Sequence, residues 1–133
     1  MKIRTIILFL FALLASSFSD GTEPGSENTE FSVKLLVDFG ESKPGLTLDI
    51  TSNHRLTALE VLQHATVVET HPVGKYVFVS AVDGVRTIRG DKAWYYEVNG
   101  TSPGVLAINN RLSDGDTVCW IYKKDVCSKN VDN

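Results

Sequence analysis

Histidine and cysteine are scarce, with three of the former and two of the latter in 133 residues. His54, His64 and His71 are separated by ten and seven positions, which matches no local zinc-ligand spacing, and solvated side chains are the expectation for all three. There is no glycine-rich phosphate loop, no nucleophile elbow and no HExxH, so no residue set for phosphoryl transfer, serine hydrolysis or zinc peptidase chemistry stands out. Asp114 and Asp116 are close in sequence, but they flank Gly115 as a tight turn demands. The residues therefore predict a chain that is not an enzyme, requires no cofactor and holds no metal.

A long apolar run is missing as well. The apolar block Ile6 to Ala15 stops well short of the roughly 20 residues a membrane-crossing helix needs. It follows the basic Lys2 and Arg4 and gives way to small residues at Ala15, Ser16, Ser17 and Ser19, the layout of a secretory leader over 1–19. No cysteine sits near the cleavage region to carry a lipid. The chain is thus expected to be secreted or extracytoplasmic, at a cell surface or in a periplasm, with no stable membrane span once the leader is cut. The formal net charge is −3, and removing Lys2 and Arg4 with no acid leaves eleven basic against sixteen acidic residues, or −5. Such a surface repels phosphate backbones and argues against nucleic acid as a partner.

Residues 20–30, DGTEPGSENTE, contain no large apolar side chain and read as a flexible linker, and 128–133 as a disordered tail. The folded domain is then 31–127, enough chain for a single core. Within it the hydrophobic period changes several times. Phe31, Val33, Leu35, Val37 and Phe39 alternate with polar positions as a half-buried strand does, and Leu46 to Ile50 is a second, short strand. Thr57 and Glu60 have the spacing of a helix capping box, and Ala58, Leu59, Val61, Leu62 and Ala65 place an apolar stripe on that helix. Pro72 and Gly74 exclude helix beyond it. Tyr76 to Val82, Val85 to Ile88, Trp94 to Val98 and Thr117 to Tyr122 read as strands, joined through the turn pairs Asp83-Gly84 and Asn99-Gly100 and the turn Ser113 to Asp116. One helix with five or six strands on short turns predicts an α+β fold, a twisted sheet with the helix packed on one face.

Two short motifs carry little weight. Arg89-Gly90-Asp91 is the integrin-recognition tripeptide, but three-residue matches arise by chance, and Asn99-Gly100-Thr101 fits the N-glycosylation sequon while Asn99 also suits its turn. Cys119 and Cys127 form a tentative disulfide, favoured by export. An extended run between them would span about 26 Å at about 3.3 Å per residue, so a bridge requires the chain to fold back at Lys123, Lys124 and Asp125. Bridge and free thiols both stay open.

Aromatic side chains gather at Trp94, Tyr95 and Tyr96. On a strand, Trp94 and Tyr96 share one face and Tyr95 takes the other. Either one group is partly exposed and offers a ligand surface, or both sides pack.

The run VKLLVDFG, LTALEVLQ, GKYVFVSAVDGV, AWYYEVNG and LSDGDTVCWIY resembles the C-terminal domain of transcobalamin and intrinsic factor, a domain also seen alone in surface proteins. The most specific pieces are Trp94 to Gly100 and Leu112 to Tyr122. The resemblance covers nearly all of Phe31 to Tyr122 and implies a β-grasp-like fold. It also implies cobalamin or a related corrinoid as ligand, contacted by Trp94, Tyr95 and Tyr96 with Asn99 and Gly100 close by, while Trp120 falls in the core. In the carriers a separate helical barrel holds the ligand's other face, so the resemblance implies a partner domain. A surface adhesion or protein-interaction module with no small-molecule ligand is the second reading. Sequencing the exported material is expected to begin at Phe18 or Asp20, and a start at Met1 would refute the leader.

Overall fold

Alternation decides the first strand. In β1 (Phe31–Asp38) the side chains of Phe31, Val33, Leu35 and Val37 are buried while their neighbours are partly or wholly exposed, and Phe39 follows at 1% exposure. The computed structural model describes residues 30–127, so the leader, the linker as far as residue 29 and the tail lie outside the described residues. β1 sits between two partners. Leucine-rich β2 (Leu46–Ser52) pairs with it antiparallel, with Leu35 opposite Leu48, and β7 (Thr117–Lys124) pairs parallel, with Val37 opposite Trp120. β6 (Lys92–Val98) pairs antiparallel with the other side of β7, which gives a four-stranded sheet in the order β2-β1-β7-β6.

The helix α1 (Ala58–Ala65) starts where its cap requires. Glu60 donates its backbone N–H to Thr57 Oγ1 at 3.2 Å, and Thr57 N–H donates to Glu60 Oε2 at 2.8 Å, so both halves of the capping box are formed. Ala58, Leu59, Val61 and Leu62 are buried, with Ala65 packed at the margin. Ala58, Val61 and Leu62 join Leu35, Val37, Val118 and Trp120 in one core, and Trp120 Nε1 donates to the carbonyl of Ala58 at 3.1 Å, which ties sheet to helix. Each fully buried Leu or Val here removes apolar surface worth about 1.5–3 kcal/mol. Among the described residues no helix is long and apolar enough to cross a membrane.

The α+β class stands, but the single sheet of five or six strands does not. Among the described residues seven strands form two sheets, the second in the order β3-β4-β5. The strand missing from the sequence reading is β3 (Val68–Val73), which pairs with β4 (Tyr76–Val82). Pro72 argues against helix and also against an interior strand, but β3 is an edge, where an absent N–H costs no ladder bond. β5 shrinks to Val85–Arg86 because the chain turns away at Ile88 into the reversal that meets Lys92. The two predicted turn pairs are present, with positive φ at Asp83 and Gly84 (45° and 81°) and at Asn99 and Gly100 (51° and 81°), the backbone a two-residue hairpin turn requires. A short 3₁₀ turn, Ala107–Asn109, lies in the connection between β6 and β7.

The tentative disulfide is absent, and Cys119 and Cys127 are both free. The fold-back it needed does not occur because Lys123 and Lys124 stay in the ladder opposite Ala93 and Lys92. The Cys119 thiol is half-buried opposite Glu97, and burial first, then the charges of Glu97 and Asp38, push its pKa up.

Two measurements follow. Thr57→Ala should lower unfolding free energy by about 1 kcal/mol in denaturant titration, the usual cost of a lost cap, and no change would show that the box contributes nothing. Thiol titration of unfolded, unreduced protein should find two groups. In the folded chain the exposed Cys127 should react first, and Cys119, short of thiolate at neutral pH, should gain rate only as the pH rises beyond the ordinary thiol range.

Candidate functional site

β6 forms one edge of the larger sheet, and its three consecutive aromatics fall on alternating faces as the strand period dictates. Trp94 points into the core and keeps only 8% of its surface. Its ring stands edge-on to Phe39 at 5.5 Å and lies against Tyr122 at 5.2 Å, and Nε1 donates to the carbonyl of Val85 at 2.9 Å. It is therefore part of the framework that joins the two sheets, with little surface left for a ligand.

Tyr96, on the same face, is half-buried. It stacks on Trp120 at 5.1 Å with 27° between the rings, donates its hydroxyl to the carbonyl of Val105 and accepts from Asn110 Nδ2 at 3.3 Å. Burial raises its phenol pKa, opposed by the Asn110 bond. Through these contacts Tyr96 holds the 102–110 connection beside the sheet.

Tyr95 faces the other way. Lys123 Nζ lies 5.2 Å from its ring centre, its hydroxyl donates to Asp125 Oδ1 at 3.4 Å, and the hydroxyl accepts from Val126 N–H at 3.2 Å. Burial and then a hydrogen bond with Cys127 raise this phenol pKa. Asp125, itself 3% exposed, also accepts Gly90 N–H at 2.8 Å and Cys127 N–H at 3.1 Å. The Arg89-Gly90-Asp91 motif is thus an exposed turn fastened at its glycine to Asp125, just past β7.

A cleft of about 630 Å³ opens beside β6, and Trp94, Tyr95 and Tyr96 all line it. Its other lining comes from the β3–β4 hairpin, chiefly Val73, Val77 and Phe78, and from Val105 and Leu106 in the connection after β6. The volume is that of an ordinary small-molecule site. Asn99 and Gly100 are exposed at the turn and are not among the lining residues. Asn99 instead bridges to the next strand, donating Nδ2 to Asp116 Oδ1 and accepting from Thr117 N–H, each at 2.9 Å. Asp114 and Asp116 do turn work too, accepting from Ser32 N–H and Ser113 N–H at 2.8 Å. Trp120, expected in the core, is there at 3% exposure.

His54 is bonded to Asn53 and Ser52 on the surface, His64 is exposed, and His71 lines the cleft from β3. Among the described residues no group of three or more His, Cys, Asp or Glu gathers as a metal site would. The hairpin and Val105 escaped the sequence reading. A signal existed in the solvent-exposed apolar residues Val73, Phe78 and Val105, which keep 50%, 48% and 50% of their surface, but only pairing across the fold brings them together.

No curated protein matches the chain. Among solved structures, a protein of Ruminococcus gnavus ATCC 29149 described as a candidate metal binding protein superposes with a TM-score of 0.57 at 16% identity, over 72% of this chain and 97% of that one. Haptocorrin, solved in complex with Cbi, superposes with a TM-score of 0.59 at 12% identity, over 73% of this chain and 26% of that one. Both likenesses are of fold, and the second supports the transcobalamin-like fold that the sequence resembles. A family profile matches residues 56–124, from the helix cap to the end of β7. The chain therefore belongs to the family described as Domain of unknown function (DUF4430).

Proposed function

We propose that the chain is an exported, non-catalytic ligand-binding module whose cleft beside β6 receives one face of a flat organic ligand, with cobalamin or a related corrinoid as the candidate. One observation carries this reading. A small-molecule-sized cleft lined by Tyr95, Tyr96 and apolar hairpin residues occurs in a fold shared with haptocorrin, a protein solved with Cbi bound. The transcobalamin-like domain is the β-grasp-like half of such a site, and a partner domain supplies the other face. No further cofactor enters, and no residue constellation supports turnover. Metal binding, suggested by the description of the Ruminococcus relative, gains no support from the described residues.

A second reading, a protein-interaction module, is favoured by a separate observation. Val73, Tyr76 and Phe78 on the hairpin keep 50%, 46% and 48% of their surface, beside a cleft that is itself apolar.

Calorimetric titration of the mature protein with cobalamin and with cobinamide tests the first reading. Binding should release heat and quench tryptophan fluorescence, and Tyr95→Ala should weaken it about tenfold, the scale of one lost aromatic contact. Trp94→Ala is the wrong probe, since removing a buried tryptophan costs about 3–5 kcal/mol of stability. No heat and no quenching up to millimolar ligand would remove the corrinoid.

A further inference from the structure

We propose that the outer edge of β6 takes an extended polypeptide segment of a partner protein, rich in β-branched residues, which adds to the four-stranded sheet as a short fifth strand. The proposal starts from the backbone hydrogen bonds of β6. Asn99 N–H donates to the carbonyl of Thr117 across from it at 2.8 Å, which fixes the phase of the ladder: Ala93, Tyr95 and Glu97 turn their backbone groups toward β7. Lys92, Trp94, Tyr96 and Val98 turn theirs outward. Two of these four are satisfied within the chain. Lys92 exchanges both bonds with Ile88, at 2.8 and 3.0 Å, and Val98 exchanges both with Thr101, at 2.9 and 3.0 Å. Trp94 and Tyr96 lie between those bridges, and among the described residues no strand pairing or bridge engages their outward N–H and carbonyl groups.

The vacancy at these two positions is bounded and chemically specific. It presents donor and acceptor, then donor and acceptor again, two residues apart on one line, about 6.7 Å at the rise of a strand. An extended backbone repeats the complementary pair on one edge at that spacing, which is how sheets recruit peptides. Backbone groups at largely buried residues are nearly always paired, and Trp94 is one of the most buried residues of β6. A second polar group in the cleft is also unsatisfied, because Thr87 Oγ1 is buried without a hydrogen-bond partner and Thr87 is among the lining residues.

The surroundings select the occupant. The β3–β4 hairpin and the segment around Val105 line the same cleft, and the flanking bridges close the edge at both ends. The free stretch between the two bridges runs only from Trp94 to Tyr96, a length that suits a short single segment rather than the long edge of another folded sheet. The lining beside the vacancy is aromatic and aliphatic, which favours β-branched side chains on the incoming segment through cross-strand packing on Tyr95 and Tyr96. This inference does not rest on a corrinoid ligand, although the two share a cleft.

The test uses the mature chain and a synthetic probe, acetyl-Lys-Val-Thr-Val-Thr-Lys-amide, followed by amide hydrogen exchange. In the free protein Trp94 and Tyr96 should exchange faster than Tyr95 and Glu97. Millimolar peptide should slow Trp94 and Tyr96 at least tenfold and leave Tyr95 and Glu97 as they were. An analogue N-methylated at alternate positions keeps one bonding edge and should bind, whereas one methylated at every nitrogen should bind at least tenfold more weakly. Protection of Trp94 and Tyr96 already present in the free chain, no slowing at saturating peptide, or equal binding of the fully methylated analogue would each overturn the proposal. Cobalamin run in parallel separates the two readings: peptide protection without a cobalamin response leaves this inference and removes the corrinoid, and the reverse removes this inference alone.

Discussion

The parallel pairing of β1 with β7 is the contact on which the rest of the fold depends. It brings the first and last strands of the domain together at the centre of the larger sheet, with Leu35 opposite Val118 and Val37 opposite Trp120. Everything between them, from Phe39 to Asp116, is one long crossover, since parallel strands cannot be joined by a hairpin and need a connection of at least about a dozen residues. Because β7 is spoken for on one side by β1, its other side is left for β6, and β6 becomes an edge. The helix packs over the core face of this arrangement, and the second sheet forms beside it from residues that the crossover carries out and back.

That topology explains how a run of three aromatics divides its duties. Trp94 and Tyr96 look toward the core side because their cross-strand neighbours are Tyr122 and Trp120. The tryptophan, bonded to Val85 and wedged against Phe39, holds the two sheets in register. Tyr96 is one step nearer the open end of the core and uses its hydroxyl to hold a loop. Tyr95, alone on the reverse face, packs under a lysine and reads the chain end. Three adjacent residues of similar chemistry therefore serve as strut, loop anchor and clasp, and the cleft results from where these jobs meet.

Much of the local structure was legible because it is determined locally. The alternation from Phe31 to Phe39, the Thr57 and Glu60 pair, the apolar stripe from Ala58 to Ala65 and the turn pairs at Asp83 and Asn99 each express a period or a backbone preference within a few residues. The division into two sheets was not legible, since the sequence of β4 does not say whether it will bond to β6 or to β3. β3 itself was hidden by Pro72, whose meaning depends on whether the strand is an edge. The straight run of β7 through Lys123 and Lys124 depends on Ala93 and Lys92 standing opposite, and with it went the bridge between Cys119 and Cys127. The cleft was visible only as aromatics without an address: Tyr95 and Tyr96 could be named, but not the hairpin and the Val105 segment that enclose them.

Asp125 gives the C-terminal boundary of the domain a meaning beyond tidiness. A single buried carboxylate gathers the amides of Gly90 and Cys127 and the hydroxyl of Tyr95, so the turn preceding β6 is latched by a residue that comes after the last strand. Trimming by an exopeptidase that halts at Cys127 spares the latch, while loss of three more residues, through Asp125, releases the Arg89 to Asp91 turn and the strand start it steadies. The length of the chain's end thereby acts as a gauge of whether the cleft keeps its shape.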